Sequence, residues 1–593
     1  MVSRVIFFTN AVIKYFFCFI ASCLIMSCNN NGSNSEKSEA PLDEVAYSNP
    51  ESYVMVSKHS SKEVDCINIE NLTTSERLMV LSLQGLVNRG TPCIYTYVNQ
   101  DAWIKDLYKE KGYITSMKEY TDPWLLMQKY SEFLKSGVVC NSEDFQEVNL
   151  ATNISGVEDR IILTAETKDR FLQLSQSTDI LDLASLGLKS HAESFKWYRE
   201  NVFPKQNHNM LSVSKGGIFM FDVYRDYLVE FKIPVFWLPG TNDVDYDIKY
   251  ENEVRKLLKD TPVNIPILGF WPGADNDGKP VGYSEYEGVK LAGEYGKMTL
   301  VNTWVGNYSY HSGVDIHLKE FKQKASNEIS YDASKKYVAL VMTESGDAPC
   351  YFLYTGFFPR QWDDPKRGSV PISYGITPSI RYLAPALLEN MYETQASNDY
   401  FFCSISGAGY CYPFDGYGNK TSNQDRCLKH YFSELTSYNI KKMDVDRLAI
   451  YTHSGNVKWS QNDKRIVENY ISVMPDLKTI VSGMHRTGYT GKESFEKLSN
   501  GVSVFHNVSF WSYEDFTWDD VSKDEIAAEH LVNEIKTYGA DSPFITAMFY
   551  SWHYGPRRLC IVKEKLEKEG YVFVTLNQLD KLYNEYQKSS NLN

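Results

Sequence analysis

The sequence has no excess of positive charge. Its 61 lysines and arginines are outnumbered by 75 aspartates and glutamates, the formal net charge is −14, and the basic residues form no dense block. Proteins that bind nucleic acid need clustered lysine and arginine to neutralise phosphates. The composition therefore argues against a nucleic-acid partner.

Closely spaced cysteines are also missing. Three of the 11 cysteines (Cys18, Cys23 and Cys28) fall within the first 28 residues, and the remaining eight are widely spaced without a CxxC pair. Structural zinc sites and small disulfide scaffolds both need closely spaced cysteines. We predict mostly buried free thiols.

A long hydrophobic run occurs only near the start of the chain. Arg4 and Lys14 precede the apolar residues 15–26, and Ser27 and Cys28 follow. This run is shorter than the ~20 residues of a spanning helix, so we interpret residues 1–28 as a cleavable export signal, with a plain membrane anchor as the alternative. Residues 25–28 (IMSC) resemble a bacterial lipobox, which implies that Cys28 is lipid-modified.

Residues 29–64 are predicted to be a tether and lead-in. The segment 29–43 is rich in Asn, Ser and Glu and cannot form a hydrophobic core, so we expect it to be a flexible linker. We therefore expect an exported protein that is lipid-anchored to a bacterial membrane and faces either the periplasm or the cell surface.

Aromatic residues are abundant, with 42 Tyr, 30 Phe and 11 Trp. Large aromatic side chains fill cores, and they also form stacking platforms for flat ligands such as sugar rings. Composition leaves both interpretations open.

The region 65–330 alternates β-rich apolar runs with amphipathic helical stretches. Short alternating strands and helices are typical of α/β units around mostly parallel sheets. We predict two or three such N-terminal α/β modules. The predicted strands are 92–98, 160–164, 234–239, 266–271 and 299–304, and the predicted helices include 73–88 and 246–259.

The region 331–593 shows the same alternation more regularly, which predicts a (β/α) barrel-like C-terminal domain. An open doubly wound sheet is the alternative. A fragment beginning near residue 330 is expected to keep the site. The eight predicted strands are 337–343, 370–376, 399–406, 447–452, 479–484, 501–508, 543–550 and 571–576, with helices at 379–393, 424–438, 461–473, 523–538 and 557–568.

Polar residues follow most of these C-terminal strands. Ligands bind at the carboxyl ends of parallel strands in barrels and in open α/β sheets. Histidines or carboxylates after five different strands are difficult to explain by packing alone, so we expect a site there. The candidates are Glu344, Asp347, Tyr374, Thr377, the loop 406–419, His453, Ser454, Asn456, His485, Arg486, His506, Asn507, Trp552 and His553.

The loop after the third of these strands carries the most specific motif. Residues 407–413 read GAGYCYP, and the segments 367–385, 396–399 and 83–95 are similar to the same family. The chain thus resembles the GxGYxYP family of putative glycoside hydrolases, found largely in exported bacterial proteins. The resemblance implies a carbohydrate substrate and covers nearly the whole mature chain.

The glycines and tyrosines of this loop suggest a sugar-binding wall. Gly407 and Gly409 allow positive φ and a close approach of the backbone to a ligand, while Tyr410 and Tyr412 offer rings and hydroxyls. A structural turn packed by its tyrosines is the alternative. The other predicted substrate-binding residues are Asp415, His453, His485, Trp552 and His553.

A glycoside hydrolase needs two carboxyl groups across the scissile bond, one protonated and one ionised. We predict Glu344, Asp347 and Asp399 as catalytic candidates, with Asp415 as a further carboxylate. Glu344 and Asp347 are three residues apart, and like charges raise one another's pKa. This hypothesis requires neither a cofactor nor a metal.

Two other functions remain open. In a metal-dependent carbohydrate deacetylase, Asp347 with His453, His485 or His553 would hold a divalent ion that activates water. No local HxxxH pair supports this alternative. The other is a non-catalytic glycan-binding lipoprotein, which the aromatic content favours.

Overall fold

The computed structural model describes residues 46–215, 223–271, 282–303, 305–343, 348–354, 357–451, 457–483, 486–509 and 519–590. In this part of the chain, three small sheets precede one large sheet. None of the helices in these ranges is both long and apolar enough to cross a membrane. The eight cysteines are free, seven of them buried and Cys93 half-buried, which confirms the predicted thiols.

The three small sheets are parallel and form the N-terminal α/β region. The first has the order β2-β1-β3, the second β5-β4-β6 and the third β10-β9-β7-β8. Their strands are β1 (Glu63–Asn68), β2 (Ile94–Tyr97), β3 (Ser116–Tyr120), β4 (Gly137–Val139), β5 (Ile161–Leu163), β6 (Ile180–Asp182), β7 (Leu211–Val213), β8 (Val235–Phe236), β9 (Ile265–Gly269) and β10 (Lys297–Val301).

Most helices of this region start at side-chain caps. Thr73 forms a capping box with Glu76 at the start of the predicted helix 73–88, and Asp144, Ser190 and Asp247 cap three later helices. The α-helices are Thr74–Asn88, Ala102–Glu110, Pro123–Lys129, Phe145–Glu158, Ala165–Ser175, His191–Asn201, Arg225–Phe231, Ile248–Lys259, Glu285–Glu294 and Tyr308–His311.

The large sheet is a nearly closed barrel. Its order is β16-β17-β15-β14-β13-β12-β11-β18, β19 also pairs with β11, and only β16 is antiparallel to its neighbour. The Val508 amide, two residues after β17, donates to the Thr546 carbonyl of β18 at 3.1 Å and brings these two strands together. The strands are β11 (Lys336–Met342), β12 (Ile372–Ile376), β13 (Asp399–Cys403), β14 (Arg447–Ile450), β15 (Thr479–Ser482), β16 (Phe495–Lys497), β17 (Ser503–His506), β18 (Phe544–Met548) and β19 (Tyr571–Phe573).

Two predicted helices of the barrel contain π-helical segments, which are His430–Thr436 and Val467–Ile471. A third is divided at Ala384, because Pro385 cannot continue the preceding helix. The α-helices here are Pro349–Leu353, Ile380–Leu383, Pro385–Thr394, Gln424–Lys429, Ser437–Lys442, Gln461–Ile466, Asp524–Tyr538, Pro556–Glu567 and Leu576–Ser590.

The helix Leu576–Ser590 covers the amino ends of the barrel strands. Asp580 accepts a hydrogen bond from Ser503 and pairs with Arg447 at 3.3 Å, and these two residues begin β17 and β14. Tyr583 packs against Phe505 and Phe544. The amino end is therefore packed, which leaves the carboxyl end as the place for a site.

Candidate active site

The signature loop 407–413 joins the barrel to the third small sheet. It follows β13, and the backbone of Tyr410 exchanges two hydrogen bonds with Thr299 of β10, with N–O distances of 2.9 and 2.8 Å. The loop therefore lies where the carboxyl edge of the barrel meets the sheet β10-β9-β7-β8.

Packing explains the two glycines of the signature. Gly407 has φ +118°, and a Cβ atom there would lie 2.6 Å from Oγ1 of Thr436. A Cβ atom on Gly409 would lie 2.7 Å from Cγ of Met298. These neighbours are protein atoms, so the glycines permit close packing of the loop, and their contacts do not support the predicted approach to a ligand.

The signature tyrosines present hydroxyl groups rather than open ring faces. Tyr410 and Tyr412 are 2% and 4% exposed, and their hydroxyl oxygens are 2.8 Å apart. The ring of Tyr451, directly after β14, lies 4.6 Å from that of Tyr412. With their rings covered, these tyrosines do not form the predicted wall for stacking on a sugar.

The Tyr410 hydroxyl donates a hydrogen bond to Glu285 Oε1 at 2.9 Å. Glu285 is the first residue of the helix Glu285–Glu294, on the carboxyl side of β9, and it is half-buried. Burial raises the pKa of Glu285 to about 7, although the hydrogen bond from Tyr410 opposes this shift. A carboxyl group with this pKa can act as a proton donor near neutral pH.

Asp415 provides a second carboxylate beside this group. The Tyr286 hydroxyl donates to Asp415 Oδ2 at 3.4 Å, and the ring of Tyr286 lies 5.1 Å from that of Tyr412. Burial raises the pKa of Tyr451, and the charges of Glu285 and Asp415 raise it further. Glu285 and Asp415 are thus both close enough to Tyr451 to raise its pKa.

We name this set the Glu285 cluster; it consists of Glu285, Tyr286, Tyr410, Tyr412, Asp415 and Tyr451. Two of its tyrosines and Asp415 belong to the predicted site, whereas sequence reasoning missed Glu285. Ser284 and Glu287 form a capping box, which is visible in the sequence as a helix start. That pattern signals local structure, and it carries no sign of the contact with Tyr410, 125 residues downstream.

Asp399 occupies a different part of the barrel. It is the first residue of β13, and its Oδ2 atom pairs with Arg367 at 2.5 Å and accepts the Ala396 amide at 2.8 Å. Burial raises the pKa of Asp399, against the opposing effects of these partners. The signature loop follows the other end of the same strand, so this location argues against the catalytic role predicted for Asp399.

Trp552 and His553 follow β18 and form a separate group with arginine. The guanidinium of Arg360 lies 5.0 Å from the Trp552 ring, which meets the Tyr351 ring at 5.0 Å. Burial, with the charges of Arg558 and Arg360, lowers the pKa of His553 to about 3. His553 is therefore a neutral imidazole at physiological pH.

Other residues predicted at the strand ends serve packing or lie outside the described ranges. His506 stacks on Tyr489 with ring centroids 3.7 Å apart, and Asn507 Oδ1 accepts the Met548 amide at 2.8 Å. Tyr374 is fully buried. Glu344, Asp347, His453, Ser454, Asn456, His485 and Cys28 lie outside the described residues. Within the described ranges, no three His, Cys, Asp or Glu side chains are arranged to hold a metal ion.

Three models of one protein family match the chain. The first-domain model matches residues 63–132, the third-domain model matches 209–313, and the model described as "GxGYxYP putative glycoside hydrolase C-terminal domain" matches 334–584. The chain belongs to the GxGYxYP family. These matches confirm the resemblance predicted from the loop 407–413.

A solved structure supports the fold of this GxGYxYP protein. It is described as a putative hydrolase from Bacteroides thetaiotaomicron, with 20% identity, a TM-score of 0.69 and coverage of 91% of this chain and 97% of that chain. Two structures of peptidoglycan deacetylase PdaC from Bacillus subtilis align with 44% of this chain and 96% of theirs, at 12% and 13% identity, but their TM-score of 0.20 carries no argument. No curated protein matches the chain.

Proposed function

We propose that this GxGYxYP protein hydrolyses a glycosidic bond at the carboxyl edge of its barrel, with Glu285 as the general acid. The hydrogen bond between Tyr410 and Glu285 carries the proposal, because it links the family signature to a carboxyl group whose pKa is about 7. Family membership supports the reaction class.

The chemistry requires a proton for the leaving oxygen and a second, ionised carboxylate. Glu285 would donate the proton, and Tyr410 would hold the carboxyl group in one orientation. Asp415 is a candidate for the ionised partner, and Glu344 and Asp347 remain predicted candidates for the same role. Tyr286 is 46% exposed, so its ring is available to pack against a sugar at the rim.

The test compares Glu285→Gln with Glu294→Gln, which changes the last residue of the same helix. We expect Glu285→Gln to lower the release of reducing sugar from the best substrate in a polysaccharide panel by at least ~100-fold, as loss of a general acid typically does. Glu294→Gln should keep wild-type turnover. Full activity of Glu285→Gln would exclude Glu285 as the acid.

We also propose that the protein is exported and lipid-anchored to a bacterial membrane through Cys28. The lipobox-like residues 25–28 and the polar segment 29–43 support this proposal. Cys28→Ala should move the protein from the membrane fraction to the soluble fraction in cell fractionation, whereas Cys23→Ala should leave it with the membrane. Retention of Cys28→Ala in the membrane fraction would contradict the anchor.

A further inference from the structure

A second polar cleft lies on the carboxyl edge of the sheet β5-β4-β6. Its volume is about 390 Å³, within the ~300–1,000 Å³ range of ligand pockets. Three helices begin at it, with Asp144, Ser190 and Asp247 as their caps. The family models leave residues 133–208 unmatched, so family membership assigns no role to most of its wall.

Three carboxylates in the cleft each use one oxygen within the protein. Asp144 Oδ1 accepts the amides of Gln146 and Glu147 and lies 3.5 Å from His191 Nε2. Glu147 Oε2 accepts the Asn141 amide, and Asp247 Oδ1 accepts the Lys249 amide. The second oxygen of each carboxylate has no hydrogen-bond partner in the described part of the chain, so the cleft offers three acceptors.

Donor groups lie in the same cleft. Gln146 is 3% exposed, and its side-chain amide lies 3.0 Å from the Tyr250 hydroxyl, whose single hydrogen is donated to the Trp237 carbonyl. Ser194 is 7% exposed, and its hydroxyl has no partner within the described ranges. Lys189 adds a cationic donor at the rim. The hydroxyl of Ser194 and the ammonium of Lys189 are thus donors that a bound ligand could use.

The mixture of groups selects the class of ligand. The cleft contains three carboxylates and only two basic side chains, Lys189 and His191, so it disfavours an anion. Among the described residues, no group of three His, Cys, Asp or Glu side chains is arranged to hold a metal ion. Sugar hydroxyls both donate and accept, and the C–H faces of a sugar can pack on Leu150, Leu183 and Leu188. We propose that the cleft binds a neutral saccharide unit, as a non-catalytic site separate from the Glu285 cluster.

The cleft and the Glu285 cluster share one sheet edge. Asp247 follows β8 and Glu285 follows β9, and both strands belong to the parallel sheet β10-β9-β7-β8. A saccharide held in the cleft would keep a glycan on the face of the protein that carries the Glu285 cluster. The binding proposal does not depend on cleavage at that cluster.

The test uses the full exported chain carrying Glu285→Gln and a panel of neutral tetrasaccharides of glucose, xylose, mannose, galactose and N-acetylglucosamine. Asp247→Asn removes one carboxylate but keeps a helix cap, since Asn caps as well as Asp. Leu188 is half-buried in the wall of the cleft, and Leu188→Trp would place a larger side chain there. Asp122→Asn, at a helix cap outside the cleft, is the matched control.

We expect at least one tetrasaccharide to bind in calorimetry and to protect residues 183–194 from hydrogen exchange. Asp247→Asn and Leu188→Trp should each weaken this binding by at least tenfold, and Asp122→Asn should not. The proposal is overturned if no panel member binds, if both cleft variants bind like the control, or if Ca²⁺ alone binds. Thermal melting of each variant separates loss of binding from loss of folding, and turnover by Glu285→Gln tests the proposed hydrolysis separately.

Discussion

Tyr410 couples the family signature to the chemistry of a single carboxyl group. Its ring is buried between neighbouring tyrosines, and its hydroxyl contacts both Glu285 and Tyr412. The hydrogen bond stabilises the ionised form of Glu285, whereas burial stabilises the protonated form. The balance between these two effects sets the pH at which Glu285 releases its proton.

The variant Tyr410→Phe removes the hydrogen bond and keeps the ring. The pKa of Glu285 should then rise above about 7, because the effect that lowered it is lost while burial remains. If Glu285 acts as the acid, the alkaline limb of the pH profile of kcat/KM should move to higher pH. Tyr417→Phe, which removes a hydrogen bond to Asn264, should leave the limb unchanged. A shift of the limb to lower pH would contradict this assignment.

At the scale of elements, the strands of the barrel were predictable and several in the small sheets were not. The eight C-terminal runs are apolar, most of them are separated by helices, and all eight form strands. By contrast, β4, β6 and β7 have three residues each, and three of the five residues of β3 are exposed. Such short or polar strands depend on pairing with their neighbours, which a local pattern does not report.

Only part of the candidate site could be predicted from the sequence. The motif at 407–413 identifies the family because its spacing is specific, and it lies in the loop that contacts Glu285. Glu285 could not be found in this way, because its role depends on burial and on a contact across two sheets. Asp399 is one of the carboxylates predicted from the sequence, but it begins β13, whereas the signature loop follows the other end of that strand. A list of carboxylates in the sequence does not show at which end of a strand each one lies.

The signature loop also supports a prediction about stability. Gly407→Ala should destabilise the protein by about 1–3 kcal/mol, because φ is +118° and the new Cβ would meet Thr436. Gly570→Ala is the control, since its φ is +87° and no atom lies within 4 Å of the added Cβ. Urea unfolding should show a larger loss for Gly407→Ala, and equal losses would mean that the contact with Thr436 has no energetic effect.

For the whole molecule, the Glu285 cluster is assembled from two regions of the chain. Glu285 and Tyr286 come from the region before residue 330, and the other members come from the barrel. The loop also packs on Met298, and the Tyr53 hydroxyl donates to the Ala408 carbonyl at 3.1 Å. The barrel is thus incomplete as a catalytic unit under the proposed mechanism.

A fragment of residues 331–593 should therefore lose glycan hydrolysis and unfold at lower temperature than a chain starting at residue 46. This expectation replaces the one drawn from the sequence, in which such a fragment keeps the site. Turnover and thermal melting of the two proteins provide the measurement. A fragment with full turnover would show that the chemistry needs no residue before 331.

The helix Leu576–Ser590 has a consequence for the order of synthesis. Every strand of the barrel leaves the ribosome before this helix does, and Tyr583 of the helix packs against Phe505 and Phe544. Until then Phe505 and Phe544 lack their contact with Tyr583, and Ser503 and Arg447 lack their bonds to Asp580. The barrel can therefore complete the packing of its amino end only after all of its strands have been translated.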